Sequence, residues 1–252
     1  MICYNITPIS FKTEIQSKKE RTMTNNFKQH ILKIVHGLGY SLIVCFSTSV
    51  SYADIPNVVT DIAPTHSLVS MIMKGVGTPK ILIKPNESPH DYRLRPSSAK
   101  ALEQADLIFW ISSGLTPSLV KTIPNIANKA ESVELIKLDG TEIFYMRENV
   151  AFAKEDHGHG DEHDEHDEHK TVDPHAWLSI SNGMNWLDKI ADKLAMLDPG
   201  NKNQYQKNAQ LAKLELSQTG EKIEKILVSR NEGNFLVYHD AYQYFEKSFN
   251  IN

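Results

Sequence analysis

The chain has 252 residues, 40% of them hydrophobic and 23% charged, which is enough apolar material for one large domain or two lobes of ordinary size and excludes wholesale disorder. Its formal charge of −4 is unevenly spread: residues 1–53 hold six Lys or Arg against two Glu, and the other 199 residues carry −8. A chain this acidic beyond its N-terminus has no basic face to neutralise phosphates, so nucleic-acid binding is excluded.

Both cysteines, Cys3 and Cys45, lie in 1–53, a stretch that reads as an N-terminal extension and signal peptide. Met23 marks the expected start. Lys28 and Lys33 form a positive n-region, 37–50 an apolar h-region, and Ser51-Tyr52-Ala53 the small-x-small cleavage pattern, so a mature periplasmic chain is expected from Asp54. An uncleaved membrane anchor is the competing reading, but the apolar run is shorter than the roughly 20 residues a span requires. A lipoprotein signal ending at Cys45 would want a small residue where Val44 stands. Without cysteine or a membrane span, the mature chain must hold any metal through His and carboxylates.

From 54 onward, β-branched and helical patterns alternate. Strands are predicted at 57–61, 80–83, 106–111 and 132–138, with helices opened by Pro64 and Pro96 and another near 116–128. This order argues for a largely parallel sheet covered on both faces, with ligands at the carboxyl ends of its strands. Residues 181–197 then carry Met184, Leu187, Ile190, Ala191 and Leu194 at helical spacing and stop at Asp198-Pro199-Gly200. A long charged helix follows from about 201 to 229. A strand at 234–238 and a helix through Tyr242, Phe245 and Phe249 announce a second α/β unit, which is expected to be incomplete because a single strand makes no sheet.

Residues 155–170 are a low-complexity tract with five of the eleven histidines and eight acids against one Lys. Nothing apolar in it offsets the entropy of ordering, so a solvated loop is expected. Solubility alone does not call for His at every third position. Imidazole is a good ligand for Zn, Cu or Ni, and His157, His159, His163, His166 and His169 are therefore candidate secondary ligands. A merely soluble acidic loop is the alternative.

Three further histidines share a context. His90 follows the strand at 80–83, His175 follows the tract, and His239 ends the strand at 234–238. Loops at strand ends can converge, and three neutral imidazoles plus a water or carboxylate make a tetrahedral zinc site. Asp91, Asp173 and Asp240 each stand beside or near one of these histidines, as carboxylates that orient ligating imidazoles do. His66 is left outside the site, as a pocket wall, a cap or a bystander.

These residues carry a resemblance. Ser88-Pro89-His90-Asp91-Tyr92, Leu94-Arg95-Pro96, 105–110, the tract, Asp173-Pro174-His175-Ala176-Trp177-Leu178, Asp198-Pro199 and 239–246 together resemble the solute-binding component of high-affinity zinc ABC importers, the ZnuA type. The resemblance implies an α/β, two-lobed metal-binding solute-binding protein whose lobes are joined by a long rigid helix, here 181–197. The N-terminal lobe would span 54–180 and the partial second lobe 198–252. It further implies Zn²⁺ bound between the lobes by His90, His175 and His239, a monomer, no enzymatic activity, and a membrane permease as partner. Related manganese binders usually carry Glu at the third position, so His239 favours zinc. Pro89 stands where some zinc members have Glu, which leaves the fourth ligand position to water.

Two other classes compete. A zinc hydrolase also uses three His and an open position, but no H-E-x-x-H motif and no general base beyond the flanking aspartates are present. A periplasmic zinc buffer would work through the tract alone. In either binding reading, capture should weaken in acid because ligands must be deprotonated.

Overall fold

A computed structural model describes residues 54–147, 171–229 and 236–251 of the chain, all within one compact unit, Ala53–Asn252. The signal-peptide reading and the tract histidines, His157, His159, His163, His166 and His169, lie outside these residues.

The sheet has four parallel strands in the order β2-β1-β3-β4: β1 (Val58–Thr60), β2 (Lys80–Ile81), β3 (Leu107–Trp110) and β4 (Glu131–Glu134). Val59 sits opposite both Lys80 and Ile108, so β1 is the central pivot from which the chain winds first to one side and then to the other. All four β3 residues are buried, and because neighbouring side chains point to opposite faces, both faces of the sheet are covered.

Helices α1 (Ala63–Met73), α2 (Pro96–Glu103) and α3 (Pro117–Ile126) each begin with Pro in the first turn, where its missing N–H costs nothing. Helix α4 (Ile180–Leu197) begins at Ser179, whose hydroxyl accepts from Asn182 N at 3.3 Å. Helix α5 (Lys202–Val228) is 27 residues long, about 40 Å at ~1.5 Å per residue. A short helix, α6 (Gln243–Phe249), follows.

Two predicted strands are shorter than their β-branched runs. β2 ends at Ile81, while Leu82 and Ile83 still donate to Thr60 and Asp61 carbonyls as the chain turns away. β4 ends at Glu134, where Leu135–Lys137 tightens into a 3-10 turn with Leu135 and Ile136 buried. The strand expected at 234–238 lies partly outside the described residues; its described part, 236–238, carries no strand, and Leu236 and Tyr238 are 100% and 95% exposed. No strand among the described residues pairs with 236–238, and propensity alone does not form a sheet.

The core lies between the sheet and helices α1, α4 and α5, which pack on one another, while α2 packs on α3. Helix α4, assigned the linking role in the sequence, is sealed within this unit through Trp186, Leu187, Ile190, Ala191 and Leu194. Helix α5 buries one face and is exposed at its end. Tyr205, Asn208, Ala209 and Ala212 are buried, whereas Ile226 and Val228 near its end are exposed. Asn208 also donates to Ile72 O and Lys74 O at 2.7 and 2.8 Å, satisfying carbonyls that the end of α1 leaves open.

Candidate metal centre

Three segments build the site. The first is the loop after β2, which carries His90. The second is a neck of two antiparallel stretches: Tyr145 pairs with Val172, Met146 N donates to Thr171 O at 2.8 Å, and Asp173 N donates to Phe144 O at 2.9 Å. His175 stands just past this neck. The tract at 155–170 lies in sequence between the neck's two sides. The third is the segment 236–242 leading into α6, which carries His239.

The neck is fixed from below by one buried side chain. Asn182, on the first turn of α4, donates to Glu142 O at 3.0 Å and Ala176 O at 3.1 Å and accepts from Glu142 N at 2.7 Å. It therefore ties the strand entering the neck to the turn that follows His175. Trp186 adds a bond from its indole N–H to Thr141 Oγ1 at 3.0 Å.

His175 is buried, and its Nδ1 lies 2.7 Å from Asp173 Oδ1, which also accepts the His175 backbone N–H at 3.0 Å. Burial pushes the Asp173 carboxyl up, but the hydrogen bonds from the His175 side chain and backbone and from Gln243 outweigh it and hold the group below the usual carboxylate range. An ionised Asp173 can only accept, so Nδ1 of His175 donates and the lone pair of Nε2 faces the other histidines. Trp177 stands against the same ring, with centroids 5.2 Å apart.

The structure brings together His90, His175 and His239, each offering one ring nitrogen, with all three atoms within 4.8 Å of one another. His175 Nε2 and His239 Nε2 are 3.2 Å apart. Two nitrogens on a tetrahedral zinc at ~2.0–2.1 Å would be separated by about 3.3 Å, so this pair already has the spacing of one tetrahedron edge. The His90 ring, exposed, stands a little farther off, with centroids 5.8 and 6.0 Å from those of His175 and His239. The donor set is all nitrogen, which suits zinc and other borderline cations and does not suit Mg²⁺ or Ca²⁺.

The flanking aspartates behave differently from one another. Asp173 orients its histidine as expected. Asp240 instead pairs with Arg147, whose Nε donates to Oδ2 at 2.9 Å and whose Nη2 donates to Oδ1. His66 stands apart, with Nδ1 3.3 Å from Thr60 Oγ1, and burial lowers its pKa. Asn182, Arg147, Gln243 and Tyr244 had no role in the sequence reading. Only the last two stood in a quoted motif. Each of the four meets at least one partner remote in sequence, and no spacing rule marks those pairs.

Residues 58–252 match the family described as zinc-uptake complex component A, periplasmic. The chain is 35% identical over 225 residues to the high-affinity zinc uptake system protein ZnuA of Paracoccus denitrificans, covering 79% of this chain and 65% of that protein. It is 31% identical over 232 residues to the manganese ABC transporter substrate-binding lipoprotein PsaA of Streptococcus pneumoniae, covering 84% and 68%. A crystal structure of ZnuA superposes with a TM-score of 0.62 at 22% identity over 77% of this chain and 68% of that one, a likeness of fold. The chain thus spans 65% of the length of the zinc-uptake proteins it matches. Among the described residues no helix is long and apolar enough to cross a membrane. With a family match that runs from β1 to the last residue, this chain belongs to the ZnuA family of periplasmic zinc-uptake components.

Proposed function

We propose that the chain captures Zn²⁺ in the periplasm through His90, His175 and His239 and passes it to the permease of an ABC importer. The supporting observation is the convergence of three imidazoles from segments distant in sequence, two of them already at the edge length of a zinc tetrahedron. Zinc here is cargo. Its fourth position falls to water, because Pro89 offers no side-chain donor beside His90.

The site binds by a division of labour. Asp173 holds His175 in one tautomer, so that ligand loses little orientational freedom on coordination. His90 and His239 are exposed and close from the outside, which keeps a path for metal to enter and leave. A site that must release its cargo is served by ligands mounted on separate loops rather than on one rigid element. Of the aspartates that could serve a hydrolase as general base, Asp173 is committed to His175 and Gln243, and Asp240 to Arg147.

The family's two-lobed plan assigns the linking role to a long helix. We assign it to α5, the longest described helix, which packs on α4 as far as Gly220 and is exposed beyond it at Ile226 and Val228, in place of the buried α4. The tract histidines serve as a loose zinc reservoir, since five imidazoles among eight acids offer several equivalent ligand sets.

Competition against a fluorescent zinc chelator tests the reading. One tight site is expected, lost in each of His90→Ala, His175→Ala and His239→Ala and kept at lower total stoichiometry when 155–170 is deleted. Tight binding that survives His239→Ala, or that disappears with the tract, overturns it. Parallel titration with Mn²⁺ should give much weaker binding, as an all-nitrogen donor set requires.

A further inference from the structure

The segment that brings His239 to the site has little support of its own. Leu236 and Tyr238 are almost fully exposed, and 236–242 contains neither helix nor strand. It is held by three polar attachments to the neck. Gln243 Nε2 donates to Tyr145 O at 2.9 Å and to Asp173 Oδ2 at 3.1 Å, and Tyr244 Oη accepts from Phe144 N at 2.9 Å while donating to Asp173 O at 3.1 Å. These two side chains are buried and belong to α6.

The third attachment is ionic. Arg147, at the end of the neck's first side, grips both oxygens of Asp240, the residue directly after His239, and its Nη1 donates to Glu246 Oε2 at 2.6 Å. Asp240 is largely covered, with its side chain 11% exposed, while Glu246 and Arg147 are 33% and 37% exposed. A single exposed ion pair contributes little, but a guanidinium that bridges two carboxylates, one of them bidentate and mostly buried, fixes geometry as well as charge. Gln243 and Tyr244 anchor the helix, and Arg147 alone of the three grips the residue next to the ligand.

We infer that Arg147 is an electrostatic latch: it does not touch the metal, but by clasping Asp240 and Glu246 it sets the position of His239 opposite His175, so that zinc retention depends on this guanidinium. The inference rests on the three-histidine reading of the site. It makes Arg147 a positioning residue, and it locates the holding force at the neck.

The test uses the full chain and Zn²⁺ itself, with affinity and dissociation rate read by chelator competition and folding by circular dichroism. Arg147→Met is expected to bind zinc ~10-fold more weakly, mainly through faster dissociation, with Arg147→Lys between it and the wild type because an ammonium cannot make the bidentate pair. A non-coordinating salt should weaken zinc binding more in the wild type than in Arg147→Met, since only the former has a latch to screen on top of the attraction of Zn²⁺ for this acidic chain. A purely structural role would not produce that difference. Should Arg147→Met fail to fold, Glu246→Gln, which keeps the Asp240 pair, carries the test with a loss of ~2–3-fold and a reduced salt response. If these variants keep wild-type affinity and salt response while His239→Ala has lost the tight site, the latch is wrong and the site stands. If His239→Ala retains the tight site, the site reading fails and the latch falls with it.

Discussion

Asp61, at the carboxyl end of β1, and Asp173, in the neck beside the histidines, are both buried, at 0% and 1% exposure, yet they titrate in opposite directions. Asp61 accepts the backbone N–H groups of Ile62 and Ile111 at 2.7 and 2.8 Å, and these neutral donors do not offset the desolvation that raises its pKa to about 6. Asp173 suffers desolvation as well, but the His175 ring, the His175 N–H and the Gln243 amide together outweigh it and lower its pKa. The sheet interior thus stitches β1 to the end of β3 with a carboxyl it holds reluctantly charged. The neck keeps its carboxylate charged because an imidazole at the mouth of the site shares it. Burial alone does not say which kind of region a carboxylate occupies; its partners do.

The largest expected effect separates the two groups by pH. Asp61 has its folded pKa above the unfolded value, so folding takes up a proton and the stability it contributes rises as pH falls through about 6. Metal-free wild type is expected to gain on Asp61→Asn between pH ~7 and ~4 by up to about 3 kcal/mol, read from urea unfolding at each pH. Asp173 has the opposite sign. Its contribution is complete above the unfolded value near ~4 and is lost as pH falls through its lowered folded pKa, so the corresponding gap to Asp173→Asn should narrow only in stronger acid. If both gaps move the same way, the contrast between the regions is broken.

Next in size is the effect of Asp173→Asn on the metal. Removing the charge that holds the His175 tautomer is expected to weaken zinc binding by ~10–100-fold, whereas Asp61→Asn, measured where it is fully folded, leaves zinc affinity unchanged. Isothermal titration of both variants sharpens the division between a structural and a site carboxylate. Tyr244→Phe, which deletes the hydroxyl between Phe144 N and Asp173 O, should cost about 1 kcal/mol of stability and leave a buried N–H to find water. Smallest of all, Lys193→Ala removes an exposed pair with Glu131 and should change the free energy of unfolding by no more than ~0.5 kcal/mol.

Much of this was legible in the residues. Pro64 and Pro96 mark two helix starts, and the β-branched and apolar runs around the predicted helices locate the four strands of the described sheet, because period and capping are local properties. The Asp-Pro-His order places Asp173 two residues before His175, close enough for the carboxylate to meet both the ring and the backbone N–H. The run at 234–238 misled for the complementary reason: strand propensity is expressed only beside another strand, and 236–238 has none among the described residues. Asp240 misled because adjacency in sequence does not set direction, and a guanidinium 93 residues away claims both of its oxygens.

The sequence by itself determined an α/β chain with a parallel sheet, a histidine-rich acidic tract and three histidines in separate loops, since composition, periodicity and turn chemistry act over a few residues at a time. Only the tertiary structure decided that the three rings meet, that Asp240 serves Arg147 and not its neighbouring histidine, and that Asn182 on the buried α4 braces the neck. Those outcomes depend on single polar side chains meeting across 40 to 100 positions of chain, as Asn182 meets Glu142 and Tyr244 meets Phe144. Such pairs leave no periodic trace because each is made once, by the closing of loops around a packed core.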